Sequence, residues 1–164
     1  MLELYSEVER IFNLMTNTDH KTNTEGIIAQ IARIRESANT LIEIELRERS
    51  MKGVVPAHGS VLQFLFRQNK PVPIKAVVEK VGRAKSTVTV MINTLERHGY
   101  LSKMPCETDN RVIMVELTAA GRKLRRDFDE ISEILLNKVY GDMKKKARQL
   151  LVSRLDVIEN NINK

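Results

Sequence analysis

Two residues of opposite charge stand two positions apart in the stretch MPCETDNRVIMVEL, where Asp109 and Arg111 occupy a polar cluster that gives way to the alternation of a strand. A carboxylate and a guanidinium so placed can share a paired hydrogen bond. Alone at an exposed tip, such a pair contributes little stability. A second constellation lies upstream. On a helical wheel at about 100° per residue, the segment 85–98 puts Ser86, Val90, Asn93 and Arg97 on one side, with Thr87 and Thr89 flanking them and Lys85 at the first position. Solvated helix faces normally carry Glu, Lys and Gln, because β-branched Thr and Val are weaker helix formers. A face built from short and hydrogen-bonding side chains therefore points to close contact with another molecule. Threonine methyls and hydroxyls can meet thymine methyls and base edges, Asn93 can pair with adenine, and Arg97 can reach guanine or a phosphate.

These residues need rigid elements to hold them. The opposite side of 85–98 carries Ala84, Val88, Met91, Ile92 and Leu95, which predicts a core-facing stripe. A two-turn helix is expected over 74–81, with Gly82 in the turn between the two and Gly99 closing the second as its C-cap. Before them, 57–68 reads as a helix with Val61, Leu62, Leu65 and Phe66 turned inward, stopped by Pro71 and Pro73. After Gly99, YLSKM and RVIMVEL alternate as the strands of a hairpin around the tip PCETDN, and Thr118 is an N-cap candidate. The chain ends in two helical patterns separated by Gly141: Leu124, Phe128, Ile131, Leu135 and Val139, then Ala147, Leu150, Leu151, Leu155, Ile158 and Ile162. At the other end an amphipathic helix is expected over 4–15, a polar loop up to Thr24, and a long helix over 26–50 with Ile27, Ile31, Ile34, Ala38, Leu41 and Ile42 or Ile44 on one face.

Charge divides unevenly along this framework. Residues 54–125 hold 12 Lys and Arg against 5 Asp and Glu, while the rest of the chain is nearly balanced at 15 against 16. A basic surplus confined to one block is the footprint of a polyanion-binding module. The 164 residues suffice for a real core. No run of about 18 apolar residues is present and the N-terminus lacks the pattern of a secretory signal, so a cytoplasmic protein with no membrane contact is expected. The single cysteine, Cys106, agrees with a reducing compartment; Glu107 and Asp109 beside it are expected to raise its pKa and make it unreactive. His20, His58 and His98 share no metal-ligand spacing and read as surface or capping residues. The methionines fill core, and KKKAR at 144–148 is a solvated helix start. No nucleophile–base pair, phosphate loop or carboxylate pair supports catalysis, so neither catalytic residues, nor a metal, nor a cofactor is expected.

The order helix, helix, turn, helix, hairpin, helix over 57–125 is that of a winged helix. Through LERHGYLSK, TDNRVIMVELTAAGR and HGSVLQFLF the sequence resembles the MarR family of transcriptional regulators, most specifically in the acid, any residue, Arg of the tip followed by Leu117, Thr118 and Gly121. The resemblance implies that Arg111 enters a narrow minor groove while Asp109 holds its guanidinium, and that Lys103 contacts a phosphate. Asn110 stands where many members have a basic residue. It also implies that the terminal helices interlock two protomers, which accounts for apolar stripes too extensive for one winged helix to cover.

The expected fold is thus mainly α with a small β-hairpin wing: N-terminal helices over 1–52 serving dimerisation and a pocket roof, a winged helix-turn-helix lobe over 53–121, and C-terminal dimerisation helices over 122–164. The expected function is that of a homodimeric repressor on a pseudopalindromic double-stranded DNA operator, released by a small-molecule effector. Two rivals from other classes are a winged-helix protein–protein adaptor and an accessory dimerisation domain. Against them stand the polar face of 85–97 and, for the second, the lack of a cofactor-binding segment after the winged helix.

Overall fold

The computed structural model describes residues 24–164; the expected helix at 4–15 and His20 lie outside the described residues. The chain divides into two compact units, Met1–Ser37 and Ala38–Lys164. In the first, a 3-10 turn at Thr24–Gly26 leads into helix α1 (Ile27–Glu48), so Thr24 belongs to the turn and is not the cap of a regular helix. Ile27 and Ile34 are exposed. In the second, the remainder of α1 buries Leu46 and packs Ile42 against the core, while Ile44 stays exposed.

A 3-10 turn at Pro56–His58 precedes α2 (Gly59–Leu65), which is shorter than its apolar pattern suggests. The last turn tightens, with Arg67 N donating to Phe64 O and Gln68 N to Leu65 O, because the chain must leave the α region before Pro71. Val72–Pro73 then form a short strand β1, which sequence periodicity did not suggest. It lies at the sheet edge, where a residue without an N–H does no harm. Helix α3 (Ile74–Val81), a turn with Gly82 at φ 66°, and α4 (Lys85–Arg97) make the helix-turn-helix. His98 is the C-cap of α4, one position before the expected cap, Gly99, which follows it at φ 77°. Strands β2 (Leu101–Pro105) and β3 (Ile113–Leu117) pair antiparallel from Leu101↔Leu117 to Pro105↔Ile113, and β1 adds to β3 through Val72↔Val115, giving the order β1-β3-β2. Helices α5 (Ala119–Tyr140) and α6 (Lys145–Ile162) complete the chain. Val61, Leu62, Leu65, Val77, Val88, Ile92, Leu95 and Val115 are fully buried and bind the three helices of the lobe to its sheet.

One junction fixes how the hairpin returns. Thr118 donates its hydroxyl to Gly99 O at 2.6 Å, while its backbone N donates to Tyr100 O at 3.0 Å. The same hydroxyl oxygen accepts from Gly121 N at 3.0 Å, so Thr118 caps α5 and ties it to the exit of α4 at once. Here the helix runs so close that a Cβ on Gly121 would sit 2.0 Å from Tyr100 O. The Leu-Thr-x-x-Gly spacing is the covalent form of that contact. Gly121→Ala should destabilise the fold by about 1–3 kcal/mol, read as a lowered urea midpoint; an unchanged midpoint would show that the junction yields.

A second close approach joins the same C-terminal end of α4 to the segment after α1. Gly53 has φ 73°, and a Cβ there would fall 2.2 Å from the His98 ring, which is itself bonded through Nδ1 to Thr94 O at 2.8 Å. Nearby, His58 is buried and its Nδ1 accepts from Val55 N at 3.2 Å. Of the two expected roles, surface or capping, His58 takes the second while lying buried, and the fold brings it near His98, far away in sequence. Burial first, and the field of His98 second, hold the His58 pKa below its ordinary 6.5. The unfolded chain therefore binds this proton more readily, and the stabilisation, complete above the ordinary value, is lost as pH falls through it. Urea midpoints should decline as pH falls below about 6.5, and His58→Gln should flatten that decline; an equal slope in both proteins would assign it to other groups.

Candidate nucleic-acid interface

Helix α4 divides as its periodicity predicts: Val88, Met91, Ile92 and Leu95 are buried. Ala84, expected among them, is exposed as the residue that enters the helix. On the other side Lys85, Ser86, Thr87, Val90, Asn93 and Arg97 are exposed, and Thr89 is half-buried. Thr89 does not hold its hydroxyl proton free for a base edge, because Oγ1 donates to Lys85 O at 2.7 Å, four residues back, which leaves the oxygen as an acceptor only.

Asn93 is held in place from outside the helix. Lys103, on β2, donates from Nζ to Asn93 Oδ1 at 2.9 Å and pairs with Glu96 Oε2 at 2.7 Å. An ammonium can only donate, so the amide carbonyl faces the lysine and the NH2 end faces away. Lys103 is thereby engaged with α4, a different placement from the phosphate contact that the resemblance implies. Glu96, which sequence reasoning passed over, completes the bridge; the alternation of β2 beside the C-terminal half of α4 was the signal available. Arg83, exposed in the turn before α4, was also passed over; among the described residues it has no ion-pair partner.

At the wing tip Asp109 O accepts from Val112 N at 2.9 Å and Asp109 Oδ1 accepts from Arg111 N at 3.0 Å. Both bonds close one turn around the aspartate, as short acidic side chains do when they reach the amide two residues on. The carboxylate thus holds the backbone of Arg111 and makes no ion pair with its guanidinium among the described residues, which corrects the pairing expected of it. Arg111 is exposed. Cys106 differs from expectation too: the Thr108 hydroxyl, 3.3 Å from Sγ, and the amides of Thr108 and Asp109 lower its pKa, outweighing the opposing effect of the Asp109 charge. Among the described residues no three His, Cys, Asp or Glu side chains gather to hold a metal, and no helix is long and apolar enough to cross a membrane.

A helix-turn-helix backed by a three-stranded sheet, with an exposed short-chain face on its second helix, defines a winged-helix fold. Residues 57–113 match the sequence model of the MarR family. Over that stretch, the helix-turn-helix and most of the wing, the chain is similar to the MarR family of transcription regulators. It is 28% identical over 118 residues to the HTH-type transcriptional regulator YhjH of Bacillus subtilis, spanning 66% of this chain and 67% of that protein. Among solved structures it is similar in fold to S. aureus MepR in its DNA complex, with TM-score 0.74, 16% identity, and 81% of this chain and 96% of that one covered. Bordetella bronchiseptica BpsR, whose DNA binding is regulated by 6-hydroxynicotinic acid, superposes with TM-score 0.67 at 19% identity, covering 81% of this chain and 98% of that chain.

The Lys103–Glu96 side chains are 28% and 36% exposed, so solvent screens much of their attraction. Lys103→Met should therefore shift the unfolding free energy by less than about 1 kcal/mol. The Asn93 side-chain amide resonances should move toward those of a freely rotating asparagine; amide signals that stay in place would mean that the lysine does not orient it.

Proposed function

We propose that this chain acts as a homodimeric, sequence-specific DNA-binding repressor whose α4 enters the major groove and whose Arg111-tipped wing follows the adjoining minor groove. The observation that carries this reading is the face of α4. Ser86, Thr87, Val90, Asn93 and Arg97 are all exposed, beside a wing turn that Asp109 closes so that Arg111 is preset, which reduces the freedom lost on binding. The MepR–DNA complex supports it by analogy of fold. Lys85, Thr89 and Lys103 belong to the same surface, Lys103 by orienting Asn93.

The dimer rests on α6. This helix buries no residue, and it exposes Leu150, Leu151, Leu155 and Ile162 along one flank. Leu136 and Val139 of α5 are exposed as well. A second copy is the partner that two-fold operator symmetry supplies. We assign dimerisation to residues 1–52 and 122–164, and DNA reading to 53–121, in a cytoplasmic protein.

An effector site is supported by a cleft of about 190 Å³ between α1, α2 and α5, walled by Ile42, Leu46, Phe66, Phe128 and Leu135, with Gln63, Asp129 and Ser132 as its polar side chains. Phe66 and Phe128 meet edge to face, with ring centroids 5.7 Å apart. The volume and lining suit a small, flat, largely apolar molecule that carries hydrogen-bonding groups at its edge. BpsR, regulated by a small aromatic acid, lends this analogy. A molecule that binds better when the two α4 helices are off the one-turn spacing of B-DNA would shift the population away from the operator.

Selection from random duplexes should return a two-fold symmetric motif, and sedimentation should give a dimer; an asymmetric motif or a monomer would remove the paired readout. On that operator Arg111→Ala should weaken binding by about 1–3 kcal/mol. Wild-type affinity in a mobility-shift titration would take the wing out of the mechanism.

A further inference from the structure

We infer that α4 reads the C5-methyl group of one thymine in each half-site, using the Val90 side chain with the methyl of Thr89. The inference rests on the DNA reading proposed above and specifies which chemical group is recognised.

Val90 is 63% exposed, more than Val55 at 46% or Ile113 at 41%, the other exposed large hydrophobics of the lobe. An isopropyl group in water on a helix surface helps neither propensity nor burial. Its partner Thr89 has committed its one proton to Lys85 O at 2.7 Å. What remains unengaged on that side chain is a methyl and an acceptor oxygen. Two adjacent residues thus offer an apolar spot where the sequence suggested hydroxyl chemistry.

The surroundings decide the occupant. One turn to either side of Val90 stand Ser86, Thr87, Asn93 and Thr94, so the apolar spot is about one side chain wide. Protein-docking patches are far larger, on the order of a few hundred Å². Arg83, Lys85 and Arg97 are exposed and, among the described residues, without ion-pair partners, which frames the spot with cations suited to phosphates. Within a polyanion of that kind, the one apolar group that distinguishes base pairs in the major groove is the thymine methyl. The Asn93 NH2 end, turned away from Lys103, is free to donate to an acceptor on a neighbouring base.

The test uses the full-length protein and the selected operator. Each thymine of the half-site is replaced in turn by deoxyuridine, which removes the methyl and keeps every hydrogen-bonding group. One position should lose roughly fourfold in affinity, the worth of one buried methyl-sized group. Val90→Ala should erase that loss, so that thymine and uracil operators bind it alike. Thr89→Val, which keeps the methyl and drops the hydroxyl, should preserve the preference. A cytosine placed there should bind better when 5-methylated, yet below thymine, which separates the methyl from the rest of the base. Uracil tolerated at every position, or a preference lost in Thr89→Val, would overturn the inference while leaving DNA binding intact. Failure to select any operator would remove the DNA reading itself, and this proposal with it.

Discussion

The bond from the Thr118 hydroxyl to Gly99 O governs the architecture of this lobe. A winged helix must send its chain away from the second helix, out to a hairpin tip and back to the same place. Departure and return meet at this residue, where Gly99 leaves α4, Tyr100 opens the sheet and Thr118 begins α5. The hydroxyl satisfies an orphan carbonyl at the end of one helix and an orphan amide at the start of another. Gly121 lets the two backbones touch. With both ends of the hairpin fixed at one point, the register from Leu101↔Leu117 onward follows, and with it the distance at which the tip stands from α4.

The far side of α4 is held differently. Gly53 makes room for the His98 ring, and His58 lies buried close by with its ring nitrogen satisfied by Val55 N. The C-terminal end of α4 is therefore seated on the segment that follows α1, and α1 also supplies Ile42 and Leu46 to the cleft. One segment of chain thus runs from Leu46 in the cleft through Gly53, at positive φ beneath the His98 ring, to Pro56 in the cleft again.

Much of this was legible in the sequence, for local reasons. The limits of α3 follow from Pro73 and Gly82, those of α4 from Gly82 and Gly99, and the N-cap of α5 from Thr118, because each signal acts within a few residues. Hairpin register was implied by alternation. Strand β1 was hidden because two residues carry no periodicity and its pairing is non-local. The same limit explains the site. That Ser86, Val90, Asn93 and Arg97 share an exposed face is a property of one helix. That Asn93 is clamped by Lys103, or that Asp109 grips an amide in place of a guanidinium, depends on rotamers and on strands meeting helices. Cys106 was misjudged for a related reason: formal charges are visible in a sequence, whereas the hydrogen bonds that outweigh them are not.

The α4 sequence departs from what helix stability alone favours. All four residues from Thr87 to Val90 are β-branched, Val88 on the buried side and the others on the opposite side or at its edge. Such a run lowers propensity, and a valine left in water gains nothing from burial. The helix persists because Val88, Met91, Ile92 and Leu95 are buried in the same core that anchors α2, α3 and the sheet. Burial of four such side chains outweighs a few tenths of a kcal/mol per weak helix former by a wide margin. Packing on one side therefore frees the opposite side from the demands of folding, and the residues found there answer to the geometry of whatever lies against them.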